Sequence, residues 1–129
     1  MFGQIGEIIA RAPEGFRVWS GNDTDTLMVM ALGGYGVVSV ASHLVGRQIR
    51  AQIEAACAGR TAEAAAIHHR LMPLVSALFA ESNPIPVKYA VAKAGLPAGP
   101  PRLPLIEASA AARARIDAEM AKVTIDLGR

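Results

Sequence analysis

The residues of this chain best equipped for chemistry are Lys88, Lys93 and Lys122, the histidines His43, His68 and His69, the cysteine Cys57, and the carboxylates Asp23 and Asp25. A lysine is a nucleophile only when it is largely neutral, which needs burial or a nearby cation, in a closed pocket beside a proton shuttle. All three lysines fall in segments of helical pattern in the second half of the chain, so they read as charged helix residues. His68 and His69 are adjacent, so on a helix their side chains diverge by more than a quarter turn and cannot chelate one metal as an i, i+4 pair would. They are expected on the solvated side of their helix, and His43 is expected to cap a helix or lie on the surface. Asp23 and Asp25 would make a carboxylate pair for acid–base work, yet beside a helix start they read as cap and helix-dipole residues. Cys57, between Ala56 and Ala58, has no partner for an internal disulfide and is expected to be buried and structural. No Ser-His-Asp order, phosphate loop or metal-ligand spacing is present, and no cofactor is expected.

The elements that must position these residues change character along the chain. Ile5, Ile8 and Ile9 fall at helical spacing and stop at Pro13 and Gly15. Phe16 to Ser20 is a compact run of strand formers between Gly15 and Gly21, which predicts a buried strand. Asn22, Asp23, Thr24 and Asp25 offer oxygens to cap a helix over 26–32, which Gly33 and Gly34 end. Val37 to Val40 predicts a second strand, and 44–58 a longer helix closed by Gly59. This is the βαβ rhythm of a parallel sheet. From Thr61, read as a capped helix start, the pattern turns all helical: 61–80, 87–94 and 109–122, separated by Asn83-Pro84-Ile85-Pro86 and by a proline-rich connector over 97–104.

At 129 residues the chain is well short of the roughly 250 of a closed (β/α)₈ barrel. A hydrophobic content of 52% predicts a folded chain. Thirteen basic residues against 11 acidic ones give a net charge of +2 with no basic block, which excludes an electrostatic nucleic-acid partner. No window reaches the length of a membrane span, and a cytoplasmic setting is expected. Two parallel strands alone leave both edges open, so the pattern reads as the end of something larger.

Four segments taken in order resemble the dihydrodipicolinate synthase/N-acetylneuraminate lyase family: Ser20-Gly21-Asn22-Asp23, Gly33-Gly34-Tyr35-Gly36-Val37-Val38-Ser39-Val40, Asn83-Pro84-Ile85-Pro86-Val87-Lys88 and Arg102-Leu103-Pro104-Leu105. The Asn-Pro-Ile-Pro-Val-Lys stretch favours the synthase branch. The resemblance implies an α/β fold, the last two βα units of a (β/α)₈ TIM barrel followed by a three-helix C-terminal domain, with residues 1–60 as the partial barrel and 61–129 as the helical domain. It implies a Schiff-base lyase in which a barrel-strand lysine binds pyruvate and the enamine adds to aspartate semialdehyde, on the route to lysine. It also implies that Gly21 and the backbone carbonyl of Val38 border the pyruvate site. Gly21 has a plainer reading, a turn into the next helix. Asn22 stands where the family often has aspartate, so a charge role there does not carry over.

The family's lysine lies on the sixth strand, upstream of these residues, so no catalytic residue is assigned here and the chain is expected to be inactive alone. On this reading it comes from a truncated or split gene or is a cut piece of a longer protein. The side chains of Val18, Trp19, Val37 and Val40, interior to a barrel, would be exposed or covered by a homo-oligomer or by the missing N-terminal half. The alternative is a non-catalytic helical module for assembly or regulation, suggested by the strong periodicity of 61–80 and 109–122.

Overall fold

The computed structural model describes residues 1–127. In chain order the elements are α1 (Phe2–Arg11), β1 (Trp19–Ser20), a 3₁₀ turn (Asp23–Asp25), α2 (Thr26–Ala31), β2 (Gly36–Val37), α3 (Ser42–Cys57), α4 (Thr61–Leu78), α5 (Ile85–Lys93) and α6 (Ala110–Met120). The two strands pair in parallel, Trp19 with Gly36 and Ser20 with Val37.

Both strands are shorter than their sequence runs. Parallel pairing reaches one residue further at each end, through Tyr35 N–H to the Val18 carbonyl and Val38 N–H to the Ser20 carbonyl, both at 2.8 Å. Beyond that, neither strand has a second neighbour among the described residues to hold it extended. The register puts Trp19, Gly36 and Val38 on one face and Ser20 and Val37 on the other. Trp19 and Val38 are 50% and 71% exposed. Val37 and Val40, expected with them, instead pack against the helical core, and Val18 is half-buried. The pleat decides this for Val37, which lies opposite Val38 and turns toward the helical core, whereas Val40 lies beyond β2 where the chain enters α3.

The core is helical. Leu44, Val45 and Ile49 of α3 meet Leu71, Leu74, Val75 and Leu78 of α4, closed by Val87 and Ala90 of α5 and Ile116 of α6. In α4 these positions recur every three to four residues, the stripe a helix needs to bury one side. Pro73 interrupts the donors of α4 on its exposed side, where water can serve the carbonyl it leaves unpaired. The α4 start differs from expectation: Thr61 is already inside the helix, makes no cap bond, and the first turn is tied by Arg60 Nε to Glu63 at 2.7 Å. Ser109 does cap α6, accepting from Ala112 N–H at 3.1 Å.

Helix α3 carries a break. Val45 has φ −131° and ψ 36°, so the helix restarts after it. The amides this exposes are served from the far end of the chain. Arg47 N–H and Gln48 N–H donate to the Asp126 carboxylate at 3.0 and 3.1 Å. In return Asp126 N–H takes the Leu44 carbonyl at 2.8 Å, the acceptor Gln48 would use in an unbroken helix.

Candidate functional site

The residues singled out for chemistry are dispersed, and most are already engaged. Lys88 Nζ donates to the Ala98 carbonyl at 2.6 Å, tying α5 to the connector. Lys122 Nζ sits 2.9 Å from Glu119. Lys93 Nζ sits 3.1 Å from Asp117, and that hydrogen bond and charge raise its pKa, the reverse of what an amine nucleophile needs. Asp117 is correspondingly lowered, first by Lys93, and it also accepts from Tyr89 Oη at 3.0 Å. None of these partners belongs to a strand.

His68 is a correction. It is buried, not solvated, and its Nδ1 meets Gln52 Nε2 at 3.3 Å across the α3–α4 contact. Burial, aided by the neighbouring His69, lowers its pKa. His69 is exposed as expected, and so is His43 in the first turn of α3. Cys57 is exposed, contrary to expectation, because α3 buries positions 44, 45, 49, 52 and 55 and position 57 turns off that face. Among the described residues no group of three or more His, Cys, Asp or Glu side chains is arranged to hold a metal ion. No described helix is long and apolar enough to cross a membrane.

What the fold does bring together are the C-terminal ends of β1 and β2. Ser20 Oγ donates to the Asn22 carbonyl at 2.8 Å and accepts from Asn22 N–H at 3.1 Å, folding the chain tightly around Gly21. A side-chain carbon built on Gly21 would meet nothing within 4 Å, so the space beside this backbone is open. Gly36 is the opposite case: the Trp19 ring lies 3.0 Å from where its Cβ would stand, which makes glycine the residue that admits the ring. Arg17 in turn stacks 4.1 Å above the Tyr35 ring, whose edge meets Trp19 at a centroid distance of 4.7 Å.

Asp23 and Asp25 are buried, but neither side chain caps α2. The 3₁₀ turn runs straight into that helix, and the Thr26 hydroxyl donates to the Asp23 carbonyl at 2.9 Å. The Asp25 carboxylate accepts from Asn22 Nδ2 at 3.0 Å and Thr24 Oγ1 at 3.1 Å. The Asp23 carboxylate reaches across to the loop after β2, where it accepts from the Ser39 hydroxyl and from Val40 N–H at 2.9 Å. From sequence these aspartates read as caps of the nearest helix, because an acceptor before a helix ordinarily serves it.

An open backbone edge at the ends of parallel strands, bounded by a glycine and by an exposed valine, is where an α/β enzyme places a small ligand. Residues 2–123 match the Dihydrodipicolinate synthetase family over nearly the whole chain. The chain belongs to that family. It is 54% identical over 107 residues to a 4-hydroxy-tetrahydrodipicolinate synthase of Symbiobacterium thermophilum, covering 83% of this chain and 36% of the relative. With the synthase of Dehalococcoides mccartyi it shares 50% over 123 residues, 95% of this chain and 41% of the relative. Among solved structures it superposes with TM-score 0.92 and 42% identity on the lysine-bound dihydrodipicolinate synthase of Cyanidioschyzon merolae, covering 94% of this chain and 41% of that one. The Aquifex aeolicus enzyme gives TM-score 0.92 at 38% identity, covering 100% and 44%. Thus the chain spans 36% to 41% of the length of these curated dihydrodipicolinate synthetase relatives.

Proposed function

We propose that this chain is the C-terminal part of a dihydrodipicolinate synthase, with residues 1–60 supplying the last two βα units of a TIM barrel and residues 61–129 a three-helix C-terminal domain. The complete enzyme is a Schiff-base lyase that condenses pyruvate with aspartate semialdehyde in lysine biosynthesis. In it Gly21 and the Val38 carbonyl border the bound keto acid, while the lysine that forms the Schiff base comes from the part of the barrel not represented here. The chain alone is inactive, and it acts in the cytoplasm joined to that part or as an oligomer.

The observation that carries this reading is the collinear match over residues 2–123 to relatives more than twice as long. The engaged lysines agree with it, since Lys88 is held by a carbonyl and Lys93 and Lys122 by carboxylates. The exposed face of Trp19 and Val38 agrees as well, because it is apolar surface that further strands would cover.

The test is borohydride trapping. The purified chain is incubated with pyruvate, reduced, and weighed by intact mass spectrometry, alone and with the upstream portion of a close relative supplied in trans. Expected are no adduct on this chain and an adduct on the upstream portion. An adduct on Lys88, Lys93 or Lys122 would overturn the claim of inactivity. No adduct in the reconstituted pair, once co-purification shows that the two halves associate, would overturn the synthase reading.

A further inference from the structure

We propose that Asp23 is a positioning residue that braces the loop after β2 against the loop after β1 and so fixes the Val38 peptide at the keto-acid edge; this rests on the synthase reading above. Asp23 is 5% exposed, and its carboxylate is aimed away from its own helix. It accepts from the Ser39 hydroxyl, from Val40 N–H at 2.9 Å and more weakly from Ala41 N–H at 3.4 Å. The Ser39 oxygen accepts in turn from Ser42 N–H at 2.8 Å, which carries the brace into the first turn of α3.

Val38 is therefore held from two sides. Ahead of it, its own N–H is bound to the Ser20 carbonyl at 2.8 Å. Behind it, the next two peptide units are bound to Asp23. Its carbonyl lies between these anchors, and its side chain is 71% exposed, so packing contributes little to holding it. Every partner of the carboxylate is a donor, which an ionised carboxylate satisfies with both oxygens. An amide in its place turns one NH₂ toward those donors.

The test uses the chain carrying Asp23→Asn or Ser39→Ala, combined with the upstream portion, and measures adduct formation against pyruvate concentration. Asp23→Asn is expected to raise the half-saturating pyruvate concentration about ten-fold, the scale of one charge-assisted hydrogen bond, and Ser39→Ala a few-fold. The half-saturating concentration of aspartate semialdehyde is expected to stay unchanged, which a general loss of stability would not produce. In the chain alone, amide exchange at Val40 and Ala41 is expected to quicken while α4 and α6 keep their protection. If the α4 and α6 amides of Asp23→Asn also exchange fast, that variant is misfolded and Ser39→Ala decides. Pyruvate curves superimposable on the unsubstituted pair would overturn the inference alone. An unsubstituted pair that binds no pyruvate would overturn the synthase reading and this role with it, even where the exchange data show the brace.

Discussion

Replacing Asp126 by alanine should destabilise the chain far more than its place near the end of the described residues implies. The α3 break at Val45 leaves Arg47 N–H and Gln48 N–H at the start of a new helical segment, and the Asp126 carboxylate serves both, at 3.0 and 3.1 Å. It is an N-cap delivered from 78 and 79 residues away. Losing an N-cap costs about 1 kcal/mol and up to about 2. The carboxylate also holds Gln48 Nε2 at 3.2 Å, and its charge stands at the positive end of the helix segment. The site is half open, so water replaces part of what is lost, and about 1.5 kcal/mol is the expected cost. With a urea m-value of about 2 kcal/mol/M, the midpoint falls by about 0.75 M. Asp126→Asn keeps an acceptor but loses the charge and should cost about 0.5 kcal/mol. Urea unfolding followed by far-ultraviolet circular dichroism is the assay. Glu7→Ala is the control, removing an exposed i, i+4 pair with Arg11 and expected to change stability by less than about 0.5 kcal/mol. If Asp126→Ala matches Glu7→Ala, the C-terminal segment is not capping α3.

Other expectations follow from packing and charge. Leu74 is 1% exposed at the centre of the α3–α4 core, so Leu74→Ala should cost about 2–5 kcal/mol by the same urea assay. Gly34→Ala would bring a Cβ to 2.4 Å from Val29 Cγ1 and 2.8 Å from the Val29 carbonyl oxygen. Rotating the valine relieves only the first clash, so a loss of about 1–3 kcal/mol is expected, against near-neutrality for Gly21→Ala, where space is open. The His68 imidazole, held down by burial and then by His69, favours its neutral form in the folded chain. Stability from this group is therefore complete above its unfolded pKa of about 6.5 and is lost as pH falls through the lowered folded value. Melting temperatures across that window should drop less in His68→Gln than in the parent, and equal slopes would exclude the histidine as the cause.

The parts of the fold legible in the sequence were those governed by neighbours close along the chain. The α4 stripe from Ile67 to Leu78 announces its buried side because each member stands three or four residues from another. Gly59 and Gly95, at φ 72° and 93°, end α3 and α5 in a conformation that glycine adopts at little cost. The misreadings share a different cause, a partner far along the chain. Gln52 occupies a buried position of α3 that periodicity reserves for an apolar side chain, and the α4 residue His68 beside it meets its amide nitrogen. The same pairing buries a histidine that composition assigns to the surface. Asp23 reads as a cap for the helix it precedes, whereas its carboxylate acts 16 and 17 residues downstream. Distance in sequence also separates Asp126 from the helix break it caps, and no local rule marks Val45 as the place where α3 stops and restarts.

The candidate site rests on a different kind of signal. Gly21 and Val38, the residues proposed for it, are backbone features just past the paired residues of β1 and β2. The side chains that hold that backbone in place were not legible, because a brace between two loops exists only once both strands lie side by side. Asp23, Ser39 and Val40 are ordinary residues until the β1–β2 register makes them partners.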